Sequence, residues 1–185
     1  MTLQVVRAAD HRSVPWKNGG GTTVEIAVSP GTPFLWRASL ARVEADGPFS
    51  DFTGYDRWLV LLDGPGMTLT FPDGDRILER PLRPFPFDGG TPVRAALRGG
   101  PTTDWNWIVD RSRAEGTVIL VERPGMTSGI VWFALGPAEV TIRGKRIRLE
   151  RHDAVVDPGR ALGTFDTGGP LLVADARARI PATRR

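Results

Sequence analysis

The chain has 185 residues and no cysteine, and its 24 Lys and Arg against 21 Asp and Glu leave a formal net charge of +3. That length suits one large domain or two small fused ones and can bury a core without staples; the missing cysteines exclude disulfides, thiolate metal sites and cysteine nucleophiles. A charge so close to neutral gives no electrostatic footprint for nucleic acid, even though the arginines raise the isoelectric point to 10.1.

Residues 1–7 lack the apolar core of a secretory leader, and no run approaches about 18 apolar residues. The expected setting is the cytoplasm, without a membrane partner. The 22 glycines and 16 prolines are spread between short apolar runs, the punctuation of a nearly all-β chain.

Residues 3–6 predict a first strand. A glycine loop at 19–21 feeds a strand in which Val24, Ile26 and Val28 alternate with Thr23, Glu25 and Ala27. After a turn at 29–33, residues 34–40 return, with Trp36, Ala38 and Leu40 on one face and Arg37 and Ser39 on the other. Phe49, Phe52 and Tyr55 sit in an aromatic loop. Strands follow at 57–62, 67–71, 76–79 and 93–97, separated by Gly, Pro and Asp turns. The proline-rich stretch 81–90 is expected away from any sheet centre, since proline has no N–H to give a ladder. The stretch 104–111, with Trp105 and Trp107, fits an irregular turn or a brief helix and reads best as a loop entering or leaving a strand. A second series runs 117–121, 130–135, 139–142, 147–149, 154–156 and 171–174. No segment carries a helical stripe over three turns, which removes the frame of a dinucleotide or phosphate-loop fold; regular short strands point to a barrel or sandwich. Residues 64–68 faintly echo 123–127, and two stacked β modules joined near 100–116 would account for that.

Asn18 and the three glycines after it are the least ordinary local feature. Successive glycines cost roughly 0.5–1 kcal/mol each relative to alanine in regular structure; either a bulge or a tight path whose amides approach a ligand would justify them. Beside them Trp16 offers an apolar wall and Lys17 a charge, or else Trp16 plugs one end of the fold while Lys17 points to water. Arg37 poses a sharper choice. On an interior face it needs a carboxylate or a bound anion, because an unpaired buried charge is costly; in solvent it needs neither. Arg57 raises the same question, with an ion pair to Asp56 or Asp104 as the simplest answer. If extended, 104–107 would place Trp105 and Trp107 on one face and Asp104 and Asn106 on the other. With Arg111 nearby, that polar set could read a carboxylate and an amide on a small molecule, or stitch a loop down by side-chain hydrogen bonds. The two histidines, His11 and His152, are far apart in sequence, so no metal site is expected unless they meet, and no cofactor or nucleophile elbow accompanies them. The basic hairpin 143–151 reads as a solvated strand face, because alternation splits its arginines and no aromatic interleaves with them.

The run 16–26 (Trp-Lys-Asn-Gly-Gly-Gly-Thr-Thr-Val-Glu-Ile) resembles the signature of the HutD/Ves family of cupin-like proteins. The runs 36–39 (Trp-Arg-Ala-Ser), 47–52 (Gly-Pro-Phe-Ser-Asp-Phe), 55–57 (Tyr-Asp-Arg), 61–64 (Leu-Leu-Asp-Gly) and 104–107 (Asp-Trp-Asn-Trp) follow in the family's order. The resemblance covers 1–115 firmly and 116–185 loosely. It implies an all-β, cupin-type double barrel (bicupin) of two stacked β modules with little helix, divided at 1–115 and 116–185. It also implies a link to bacterial histidine utilisation or stress response. It brings no established enzymatic activity, and the family generally lacks the metal-binding histidines of cupins. Carried over position by position, it implies a ligand pocket of Trp16, Lys17, Asn18, Arg37, Arg57, Asp104 and Asn106, with no catalytic residue, metal or cofactor assigned. The ligands it suggests are histidine-degradation intermediates such as formylglutamate or urocanate. Trp105 and Trp107 depart from the family pattern, where a smaller apolar residue and a methionine stand.

The expectation is a non-catalytic binder of a small anionic metabolite. Arg37 and Arg57, or Lys17, would neutralise a carboxylate, Asn18 and Asn106 would supply amide hydrogen bonds, and Trp16 an apolar wall. Two other readings stay open. One is a metal-independent cupin enzyme, an isomerase or lyase using a carboxylate and Lys17. The other is a structural or protein-interaction module that meets a partner, or a second copy in a homodimer, through the basic hairpin or a strand edge.

Overall fold

The computed structural model describes residues 2–17, 19–79 and 81–179. Among them are nineteen strands and a single 3-10 turn, Ala8–Asp10. All ladders are antiparallel, and they form four sheets. The first sheet runs, in spatial order, Ser13–Pro15, Gly21–Val28, Trp36–Val43, Thr102–Asp110, Tyr55–Asp63 and Phe85–Asp88. The second runs Gly47–Pro48, Arg94–Leu97, Met67–Phe71 and Gly74–Leu78. The third runs Gln4–Val6, Ala154–Val156, Val131–Ala134, Leu171–Ala178 and Ala114–Val121, and the fourth Gly125–Ser128, Leu162–Gly168, Ala138–Ile142 and Lys145–Leu149. Among the described residues none of these ladders closes on itself, so the all-β expectation is met while the walls are open sheets rather than two closed barrels.

The sheets stack in four layers with three apolar seams. Val43, Leu59 and Leu61 of the first sheet meet Met67, Leu69 and Ala95 of the second. The opposite face of the first sheet, with Trp36, Leu40, Val60, Trp105 and Trp107, packs on Val131, Phe133, Leu172 and Ala174 of the third. Trp132, Val155 and Val173 then cover Val140, Ile142, Leu149 and Phe165 of the fourth. The first and third sheets come so close that a Cβ on Gly116 would lie 2.5 Å from the Trp58 ring. Alternation explains the layering: successive side chains of a strand point to opposite faces, so an inner sheet is apolar on both wherever a neighbouring sheet covers it.

The same layout occurs twice. Eight consecutive strands from Trp36–Val43 to Thr102–Asp110, and the next eight from Ala114–Val121 to Leu171–Ala178, take the same relative places in their two sheets. The faint echo at 123–127 is not this repeat. Gly125–Ser128 occupies the place of the edge strand Gly47–Pro48, whereas the counterpart of Met67–Phe71 is Ala138–Ile142. Proline and glycine recur at turns for their own conformational reasons, and that produced the false match. The chain's start crosses over: Gln4–Val6 pairs with Ala154–Val156, and Asp153 holds it by accepting from the Ala8 N–H and Arg7.

The stretch 104–111 corrects the loop expectation. Thr102–Asp110 is a nine-residue strand between Trp36–Val43 and Tyr55–Asp63, buried along nearly its whole length. Asp and Asn are depleted in strands, which made the segment read as irregular. Here they stand on the face that borders a cavity. The proline-rich stretch behaves as expected, since Pro86 lies in the edge strand Phe85–Asp88.

Candidate functional site

The central strand sets the site by register. Ile108 stands opposite Arg37 on one side and Arg57 on the other, Asn106 opposite Ser39 and Leu59, and Asp104 opposite Ala41 and Leu61. With a period of two, Arg37, Ser39, Arg57, Asp104 and Asn106 share the face turned away from the tryptophan-rich seam. On this face, beside Pro48 of the second sheet, lies a cavity of about 500 Å³. Trp16, Lys17 and Thr23 border it on one side and Phe49 and Phe52 on another.

Arg57 is the centre of the arrangement. It is 7% exposed, and its guanidinium carbon lies 5.2 Å from the Phe49 ring, 5.2 Å from Phe52 and 5.0 Å from Phe87. Three aromatic faces thus stand where water would otherwise solvate the cation. Its Nη2 donates to Asn106 Oδ1 at 2.8 Å and its Nη1 to the Ser50 carbonyl at 3.4 Å, while its Nε has no hydrogen-bond partner. Asn106 Nδ2 in turn donates to Asp104 Oδ1, leaving Oδ2 unpartnered. Burial pushes the Arg57 pKa down to about 10, against the opposing pull of Asp104 and with a smaller push from Arg37; the side chain still carries its charge at neutral pH. Burial pushes Asp104 up to about 7, against the pull of Arg57 and of the Asn106 hydrogen bond.

Six of the seven sequence-predicted residues border this one cavity: Trp16, Lys17, Arg37, Arg57, Asp104 and Asn106. Asn18 lies outside the described residues. Arg37 forms an ion pair with Glu25 at 3.0 Å, with a quarter of its side chain exposed. Arg57 departs from the ion-pair expectation. Asp56 pairs with Arg111 instead, and Asp104 is reached through Asn106. Arg111 is not part of the site; it ties Asp56 and Asp88 together at the sheet edge. The Trp16 indole donates to Thr23 Oγ1 at 2.7 Å, fixing it at the rim, and Lys17 is exposed beside it. The glycine run is used for close packing: a Cβ on Gly21 would collide with the Arg42 carbonyl, and the Gly19 N–H is taken by the Trp16 carbonyl. The aromatic cage around Arg57 was missed as a set. Phe49 and Phe52 stood in the quoted run 47–52, but nothing local tied Phe87 to them.

The two histidines come close enough to influence one another, His11 near Asp153 and Asp10, His152 near Arg151 and Asp63. Among the described residues no three His, Cys, Asp or Glu converge in a way that could hold a metal ion. Arg146 and Arg148 of the basic hairpin pair with Glu139, and Arg143 with Asp157.

The repeated layout supplies an internal comparison. Asn106 and Asp175 each lie five residues after a Gly-Gly-Pro turn, and Asp175 stands opposite Thr117 as Asn106 stands opposite Ser39. Asp175 is buried and is bound by both Arg160 and Arg177. Charge there is met within the protein, whereas Arg57 has only neutral hydrogen-bond partners.

The profile of the HutD family matches residues 8–170. The chain is similar to a 21.2 kDa protein of the hutC 3′ region of Pseudomonas putida, with 38% identity over 167 residues that span 83% of this chain and 85% of the relative. It is 36% identical over 127 residues to protein Ves of Cronobacter sakazakii, spanning 65% and 70%. Among solved structures it is similar to HutD of Pseudomonas fluorescens, at 31% identity and a TM-score of 0.85, covering 97% of this chain and all of that one. A cupin 2 conserved barrel domain protein from Leptotrichia buccalis shares the fold at 7% identity, with a TM-score of 0.59 and coverage of 90% and 92%.

Proposed function

Since the chain belongs to the HutD family, we propose that its cavity binds a small carboxylate metabolite without turning it over, and that binding moderates histidine utilisation. The observation that carries this reading is the Arg57 cation, buried at the cavity and hydrogen-bonded only to an amide and a carbonyl. A buried charge without a counterion is costly, and an entering carboxylate supplies one. Arg37 and Lys17 add positive charge at the same cavity. The hutC 3′-region address of the Pseudomonas putida relative supports the histidine link. Within the same reading each pair of sheets is one cupin-type module, 1–115 and 116–185, with the first strand crossing to the second; the repeated strand order supports that division.

Titration calorimetry with formylglutamate and urocanate tests the reading. A charge-assisted hydrogen bond contributes about 1.5–3 kcal/mol, so Arg37→Ala is expected to weaken binding roughly 10- to 150-fold. Its own stability should change by less than about 1 kcal/mol, because the pair it gives up is a partly exposed one. Unchanged affinity would remove Arg37 from the site, and no binding by either compound would remove the reading. A second reading, a metal-independent isomerase or lyase, is favoured by Asp104: a carboxyl group poised near neutrality suits proton transfer. Turnover of a bound carboxylate separates the two.

A further inference from the structure

Asp104 is out of place in an anion site. It is 1% exposed, it borders the cavity, and only one of its oxygens is used by the protein. Which end of Asn106 meets Asp104 follows from hydrogen-bond polarity. A guanidinium can only donate, so the Asn106 atom facing Arg57 is the carbonyl oxygen, and the Asn106 amide nitrogen must face Asp104. Oδ1 is thereby committed as an acceptor, and Oδ2 is left buried and without a partner in a residue that borders the cavity.

The charged groups around it come from four segments. Arg57, on Tyr55–Asp63, acts through Asn106; Arg37, on Trp36–Val43, is tied to Glu25 of Gly21–Val28; Lys17 stands at the exposed rim. Arg57 reaches the Asn106 side chain, and the other end of that amide meets Asp104, so a carboxylate received by Arg57 would stand only one side chain away from Asp104. Two bare carboxylates in one water-poor cavity repel, and where their oxygens meet a shared proton turns the repulsion into a hydrogen bond.

We propose that the cavity takes up its carboxylate together with a proton from solvent, the proton residing on Oδ2 of Asp104 and joining the two carboxyl groups through one O–H···O hydrogen bond. The inference rests on the anion-binding reading. Burial already holds the Asp104 proton until about pH 7, and an added anion strengthens that hold. The ligand loses and gains no covalent bond; one proton moves from buffer to protein per anion bound. Binding thereby reports both ligand and acidity.

The test is calorimetry of acetate, glutarate and urocanate in triethanolamine and Tris, two cationic buffers whose ionisation heats differ, from about pH 7 to 9. Uptake approaching one proton per ligand is expected at about pH 8, with affinity falling about tenfold per pH unit above neutrality. Asp104→Asn keeps the shape and the acceptor for Asn106; in it, proton uptake should vanish and affinity should become flat with pH. Should that variant not fold, infrared difference spectra of the wild-type complex are expected to show the carbonyl stretch of a protonated carboxyl group. Binding without proton uptake at about pH 8, binding with proton release, uptake that persists in folded Asp104→Asn, or a complex lacking the protonated-carboxyl band would each overturn the inference and leave the anion reading standing. No binding by any of the three compounds at any pH would overturn both.

Discussion

Replacing Asp104 by asparagine in the ligand-free protein should change stability in a way that depends on pH with a defined sign. Burial raises the folded-state pKa from 3.8 to about 7. Between those values the folded chain keeps a proton that the unfolded chain has released, so stability falls as pH rises across the window. A shift of roughly three units, at about 1.4 kcal/mol each, sets a ceiling of about 4 kcal/mol. Asparagine carries no such proton, and its side-chain carbonyl still accepts from Asn106. The variant and the wild type should therefore have similar stability near about pH 4, and the variant should gain on the wild type up to a plateau above about pH 7. Full expression of the ceiling is a difference of roughly 8–16 °C in Tm for a chain of this size. The carboxyl groups of Asp88, Asp110, Asp153, Asp157 and Asp166 are held below their ordinary range. They are common to both proteins and cancel in the difference. Urea unfolding followed by tryptophan fluorescence at several pH values measures the gap. A gap that does not move with pH, or that closes as pH rises, refutes the account of Asp104 as a buried carboxyl kept protonated by desolvation.

Trp107 is fully buried, stacks on Trp36 at 5.4 Å and Trp105 at 6.3 Å, and donates its indole N–H to the Asp175 carbonyl at 3.1 Å. Trp107→Phe should cost about 2–3 kcal/mol in chemical denaturation; a cost under about 0.5 kcal/mol would match an exposed loop and contradict the strand. His11 and His152 are held below their ordinary value of 6.5 mainly by burial, so their contribution is whole above that pH and is lost as pH falls below it. A protein carrying His11→Gln and His152→Asn, the latter suited to a φ of 71°, should lose less stability than the wild type between about pH 7 and 5; equal losses in the two proteins would argue against this pair.

Much of the site was readable as alternation. Arg37 and Ser39 on the face opposite Trp36 and Ala38, and Asp104 and Asn106 opposite Trp105 and Trp107, follow from a strand period of two and match the observed register. The dispersed glycines and prolines marked an all-β chain, and the prolines of 81–90 marked an edge. The errors came where one local signal stood for a distant one. Asp and Asn made Thr102–Asp110 look like a loop, although its neighbours on both sides supply a full ladder. A shared Pro-Gly-Met-Thr run suggested the wrong repeat. Of the two partners expected for Arg57, Asp56 turns to Arg111 and Asp104 is reached only through Asn106.

Residue order therefore specified which side chains share a face, because that depends on backbone geometry a few residues long. It could not specify what each face meets. The Phe49, Phe52 and Phe87 cage, the Arg57–Asn106–Asp104 chain of bonds and the contrast between Asn106 and Asp175 are assembled from segments tens of residues apart. Their partners are chosen by ladder register and by the stacking of sheets, and both are settled by burying apolar area over the whole chain rather than by any local preference.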